Sequence, residues 1–227
     1  MTVLHLADEG EAADLAAFLS RLLHYDRSAA VRLQAAGTAL AVFGRPPSFE
    51  VLAVRAVRLA KPYENGLDVT LDVTVSAGEL LETVDEQSAT AGVPGAVTGP
   101  PWAGVLPPRG GWRPEPGLPA PDALRALVAA AVAEFRSRTG ELAAEARTRA
   151  ELDRIGRDIW SRTVGDTGLP VRAVHAAQSL GFLRPGARSA EDAPVLFSSG
   201  AWLRLRTPYG SVALRRAGTG ALGISVR

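Results

Sequence analysis

Residues 67–75 read Leu67-Asp68-Val69-Thr70-Leu71-Asp72-Val73-Thr74-Val75. Apolar and polar side chains alternate strictly, the period of an extended strand whose successive side chains point to opposite faces. One face is expected to be buried and the other wet, the pattern of an antiparallel sheet; a parallel strand covered on both faces reads as a continuous apolar run.

The segments on either side extend this reading. Asn65-Gly66 is a turn signal before the strand, and Phe49–Ala60 reads as a long strand before the turn. Ala29–Ala35 and Thr38–Phe43 flank Ala36-Gly37, which predicts a hairpin, and Arg45-Pro46-Pro47 interrupts the series. Residues 2–6 read as a short strand. Asp8 and Glu11 form a capping box, and Leu15, Phe18, Leu19, Leu22 and Leu23 follow at helical spacing to a helix end near His24. After the quoted strand, Ser76 and Glu79 form a second capping box that opens a short helix to about Asp85. The front of the chain is thus a helix, an antiparallel meander and a helix, an α+β arrangement.

Residues 87–121 break the periodicity with nine prolines and seven glycines. Proline lacks an amide donor and glycine weakens regular elements, so a loop or connector is expected. Two solvated indoles would be unfavourable, so Trp102 and Trp112 are expected to fasten the segment to the fold. Beyond it, Leu124, Leu127, Val128, Ala131, Val132 and Phe135 make a helical stripe. Gly140 precedes a longer helix reaching about Arg162, and a third helix spans about Val171–Leu180. Strands follow at Val195–Phe197, Ala201–Arg206 and Ser211–Arg216, the last two a hairpin around Pro208-Tyr209-Gly210, with a final strand at Leu222–Val226. The expected organisation is an α+β unit over residues 1–86, a Pro/Gly/Trp connector over 87–121, and a helical unit with a C-terminal hairpin over 122–227, which can share a core with the first.

Composition excludes several chemistries. Hydrophobic residues are 47% of the 227, enough for a substantial core, and charged residues are 22%. There is no cysteine, which removes thiol nucleophiles, cysteine zinc sites and iron–sulfur clusters. The three histidines, His5, His24 and His175, are far apart in sequence. His24 sits at a helix C-terminus, where a dipole contact accounts for it. The longest apolar run, Ala126–Ala133, is too short to span a bilayer, and the early acids Asp8, Glu9 and Glu11 are unlike a signal peptide, so a cytoplasmic protein is expected. The basic residues are 24 Arg and one Lys, Lys61, a skew that fits the coding bias of a GC-rich bacterial genome. The net charge of +1 hides an asymmetry: residues 1–120 hold nine basic and fourteen acidic groups, residues 121–227 sixteen and ten. After Asp192 there are five arginines and no acid. Such a basic tail can meet the acidic front or an anionic partner.

Motifs for catalysis are sparse. Gly218-Thr219-Gly220-Ala221-Leu222-Gly223 matches a dinucleotide fingerprint, but no helix is expected after it. Ser198-Ser199-Gly200 reads as a turn. Asp68 and Asp72 share a strand face, and Arg55 and Arg58, expected on the adjacent strand, would make either an acid/arginine site or cross-strand ion pairs. No catalytic residue, metal ligand or cofactor is assigned.

Gly168-Leu169-Pro170, a helix containing Val174, its close at Leu180-Gly181-Phe182-Leu183, and a hairpin carrying Arg204, Arg206, Arg215 and Arg216 together resemble the recognition helix and wing of winged helix-turn-helix proteins. The resemblance covers residues 141–216. It departs in a helix about one turn shorter than usual for such proteins and in having Arg172 as its one charged residue between Pro170 and Leu180. It implies DNA contact by Arg172 and the hairpin arginines, which would hold phosphates. The proline-rich segment offers a second surface, with Trp102, Arg109, Trp112 and Arg113 as partner-binding residues. The leading expectation is a non-enzymatic protein that binds a macromolecular partner, a protein first and nucleic acid second, with no membrane contact and self-association left open. An enzyme with a carboxylate/arginine site is the remaining alternative.

Overall fold

The fold is α+β, with one large antiparallel sheet that draws strands from both ends of the chain. A computed structural model describes residues 2–60, 71–185 and 192–216. The expected Asn65-Gly66 turn, Asp68, Lys61, the glycine run at 218–223 and the strand at 222–226 lie outside those residues.

Strand β1 (Val3–His5) leads into helix α1 (Glu9–Tyr25). Asp8 caps the helix as expected, its Oδ1 accepting from the Glu11 amide at 2.8 Å. The hairpin strands are β2 (Ala30–Ala36) and β3 (Ala39–Gly44), turned at Gly37, whose φ of 59° suits glycine. Strand β4 covers Leu52–Arg58, shorter than the expected 49–60 because Pro46 and Pro47 hold the preceding residues in turns. Strand β5 (Asp72–Ser76) is the described end of the alternating stretch, and Ser76 caps helix α2 (Ala77–Glu82).

Here the meander fails. Strand β5 pairs with β2, Val31 opposite Val75, and not with β4. The order is β5-β2-β3-β4, so Arg55 and Arg58 are not neighbours of Asp72. The segment 87–121 is also less irregular than expected. It holds strand β7 (Thr90–Gly92), which bridges β1 and the short β6 (Val84–Asp85), a 3-10 turn at Pro101–Gly104, and strand β8 (Arg113–Glu115).

Helix α3 spans Pro121–Gly140 and buries Leu124, Val128 and Ala131. Helix α4 (Arg149–Trp160) starts later than expected because Thr148 caps it, accepting from the Glu151 amide. Helix α5 (Val171–Ser179) packs on α3, α4 and the C-terminal strands and buries Val171, Ala173, Val174, Ala176 and Ala177. Strands β9 (Val195–Ser199), β10 (Trp202–Thr207) and β11 (Gly210–Arg215) complete the large sheet, ordered β5-β2-β3-β4-β11-β10-β9-β8.

This placement corrects the winged-helix expectation. The β10–β11 hairpin is no free wing, because β11 pairs with β4, Ala213 opposite Leu52, and β10 with β9. Helix α5 buries five of its nine residues against the rest of the fold. The seam between β4 and β11 joins the front and back of the chain, and one cluster of buried side chains runs from Leu4 and Phe18 to Ile159 and Leu205.

One sheet face carries Val31, Leu33, Val42, Ala53, Leu203 and Val212 into that cluster beneath the helices. On the helix side Arg55, 5% exposed, is held by Glu11 at 2.9 Å, Asp14 at 3.2 Å and the Tyr209 carbonyl at 2.7 Å. The opposite face carries Phe43, Leu52 and Val54 as a second, smaller apolar cluster.

Candidate binding face

Residues 93–112 run as a strap across that second face. The Val97 amide donates to the Thr74 carbonyl of β5 at 2.9 Å. Arg32 of β2 donates to the Ala103 carbonyl, while its other nitrogens form a fork on Asp72 at 2.7 and 2.9 Å. Trp102 and Leu106 pack on Phe43, Leu52 and Val54. Ser199 Oγ of β9 then donates to the Gly110 carbonyl, and β8 pairs Arg113 with Ser198. Trp102 thus fastens the strap to the middle of the sheet, as expected from its sequence setting.

The strap delivers Trp112 to the C-terminal strands. Trp112 is half-buried, its indole N–H donating to the Pro108 carbonyl at 3.0 Å. The Arg204 guanidinium carbon stands 5.7 Å from the Trp112 ring centre, and Arg204 Nε donates to Ser211 Oγ at 2.9 Å. Arg206 lies 5.6 Å from the Phe197 ring and Arg215 5.9 Å from Trp202, so cations and rings alternate over β9, β10 and β11. Trp202, Arg204 and Arg206 occupy alternate positions between buried Leu203 and Leu205, which is why one face gathers them.

Charge on this face is only partly neutralised. Glu115 lies opposite buried Leu196 and so belongs to the other side of the sheet edge; there the Ser198 side chain and then Arg216, at 2.7 Å, hold its carboxyl below the ordinary range. Arg32 likewise holds Asp72 low, with Gln34 and the field of exposed Arg109 adding to it. Arg204 has no carboxylate within ion-pair distance among the described residues, and burial followed by the nearby Arg206 pulls its pKa down. Arg113 is exposed beside Glu115. Of the residues singled out from sequence, Trp102, Trp112, Arg204, Arg206 and Arg215 share this face, while Arg113 and Arg216 fall on the other side of the sheet edge with Glu115. Arg172 sits in the first turn of α5, its Nε 3.4 Å from Glu50 Oε2.

The acid/arginine site does not form around Asp72. Asp72 is engaged by Arg32 and Gln34, while Arg55 and Arg58 bind Glu11, with Asp14 and Asp8 completing that network. His24 and His175 lie instead in a run of rings, His24–Tyr25–Phe49–His175–Trp160–Phe135, with His175 stacked 4.7 Å from Trp160. Burial lowers the His175 pKa. No cluster of three metal-ligating side chains occurs among the described residues, and no helix among them is long and apolar enough to cross a membrane.

Sequence reasoning passed over Trp202, Arg45 and Glu50. Trp202 was within reach, since it alternates in phase with Arg204 and Arg206. Arg45 and Glu50 flank a proline-rich turn whose path no periodicity reveals.

Two family models match the chain side by side. Residues 1–104 match Domain of unknown function (DUF8010), and residues 107–219 match Domain of unknown function (DUF8185). The junction falls within the strap, and the β4–β11 seam joins a strand from each matched span. A comparison with curated proteins found no match.

Proposed function

We propose that this chain is a non-enzymatic binding protein that engages an acidic segment of a protein partner on the face crossed by the strap. The observation that carries the reading is Arg204: a half-buried guanidinium with no carboxylate partner among the described residues, backed by Trp112 and next to Arg206. A desolvated cation beside a like charge gains most from an incoming anion, and arginine and tryptophan are favoured at binding hot spots. Protein is favoured over nucleic acid because the face mixes signs: Asp72 answers Arg32 beneath the strap, whereas a duplex is met by a continuous basic stripe.

A fluorescence-anisotropy titration with a labelled acidic peptide and with duplex DNA separates the readings. Peptide binding that weakens with added salt supports the proposal. Duplex binding alone, with a steep salt slope, transfers the face to the nucleic-acid reading. No binding of either at low salt removes both.

A further inference from the structure

Beside Trp102 the strap, the 45–51 turn, the start of α5 and the ends of β10 and β11 line an open cavity of about 560 Å³. Its walls include two indoles, Trp102 and Trp202, and three guanidiniums, Arg45, Arg172 and Arg215. Glu50 is the only carboxylate among the lining residues and answers Arg172 alone. Arg45 and Arg215 form no ion pair among the described residues, and Arg172 Nε is buried without a hydrogen bond. Glu50 keeps its place with a left-handed backbone, φ 52°, a strained conformation for a side-chain-bearing residue.

Exposed apolar surface points to the same spot. Three large hydrophobic side chains are exposed among the described residues: Val3, Val97 and Val105, at 43%, 39% and 53%. Val105 lines this cavity, and Val97 lines an adjoining one that shares Arg45 and Trp102 with it. A folded chain keeps such side chains wet only at some cost in hydration, and their grouping at a concave site marks a ligand surface.

We infer that this cavity binds a small planar anion: a flat apolar ring carried between the two indoles, with a carboxylate or phosphate held by Arg172 and Arg215. The size suits it, since ligand cavities commonly run from about 300 to 1,000 Å³. The charge suits it, because guanidinium forks match the planar geometry of carboxylate and phosphate oxygens. This site is separate from Trp112 and Arg204 and goes beyond the partner-binding reading.

Isothermal titration calorimetry of the full chain with 1-naphthoate, 1-naphthyl phosphate, adenosine monophosphate and uncharged 2-naphthol tests the inference. The anions are expected to bind at least tenfold more tightly than 2-naphthol, and the tighter of naphthoate and the phosphates identifies the anionic group. Trp202→Ala and Arg215→Gln are each expected to weaken anion binding at least tenfold. Val105→Glu, a change at an exposed position that leaves the core intact, is expected to do the same by placing a carboxylate at the mouth. Arg149→Gln, 94% exposed on α4, is the control and should change nothing. Equal affinity for 2-naphthol, no binding of any anion, or full affinity in the Val105→Glu protein overturns the inference.

Discussion

Arg204 and Trp112, 92 residues apart in sequence, meet with the guanidinium 5.7 Å from the ring centre, because the strap from β7 to β8 crosses the sheet before its last strand pairs with β9.

Trp102 is the strap's main anchor. Trp102→Ala removes its packing on Phe43, Leu52 and Val54 and is expected to lower stability by about 2 kcal/mol, below the range for a fully buried tryptophan because Trp102 is half-buried. Urea unfolding checks the value. Amide exchange should quicken at Ala103 and Val105, whose amides bond within the strap, before it quickens in β2 or β3.

The buried cation Arg55 and the exposed cation Arg58 share Glu11 yet should respond differently. Arg55→Ala takes from Glu11 its buried partner, leaving it only the exposed Arg58, takes the donor from the Tyr209 carbonyl, and is expected to cost about 3 kcal/mol. Arg58, 70% exposed and screened by solvent, is expected to cost far less than Arg55 when replaced by alanine. Chemical denaturation of both variants supplies the comparison, and equal losses would contradict this account of the network.

His175 gives an acid limb to stability. Burial depresses its folded pKa below the ordinary 6.5, so the unfolded chain takes up a proton first as pH falls. Its contribution is full above about pH 6.5 and declines as pH drops through the folded value. Asp72, Glu134 and Asp158, all held low by arginine partners, are lost only in the carboxylate range near and below about pH 4. Replacing His175 with phenylalanine keeps a ring against Trp160 and is expected to flatten the decline between pH 7 and 5 in denaturation midpoints. An unchanged slope would dismiss this role.

Gly210 tests the packing of the hairpin turn against the helices. Its φ is 154°, and an added Cβ would fall 2.5 Å from the Phe182 ring, so Gly210→Ala should cost about 2 kcal/mol or more. Gly140, with nothing within 4 Å of its added Cβ, should instead gain about 0.5 kcal/mol from the better helix former. Thermal denaturation of the pair, moving in opposite directions, checks both.

Much of the fold was legible in the residues. Capping at Asp8 and Ser76 leaves a local signature, and alternation in β5 reports which face is wet; the same capping pattern at Thr148 and Glu151 was passed over. Pairing was not legible. Alternation assigns faces but not neighbours, so nothing in 67–75 says that β5 joins β2 instead of β4, or that β11 closes on β4. The candidate face was half visible for the same reason: Trp112 and Arg204 each stood out locally, and only the strap's path brings them together. The fork of Arg32 on Asp72 follows from the β2–β5 pairing and could not precede it.

The central claim is that Arg204 and Arg206 hold an anionic partner on this face. The most direct measurement is the anisotropy of a labelled acidic peptide titrated with the parent chain and with an Arg204→Gln/Arg206→Gln variant at several salt concentrations. The account expects affinity to fall at least tenfold in the variant and its salt dependence to become shallower. Unchanged affinity and unchanged salt dependence in a correctly folded variant would contradict it.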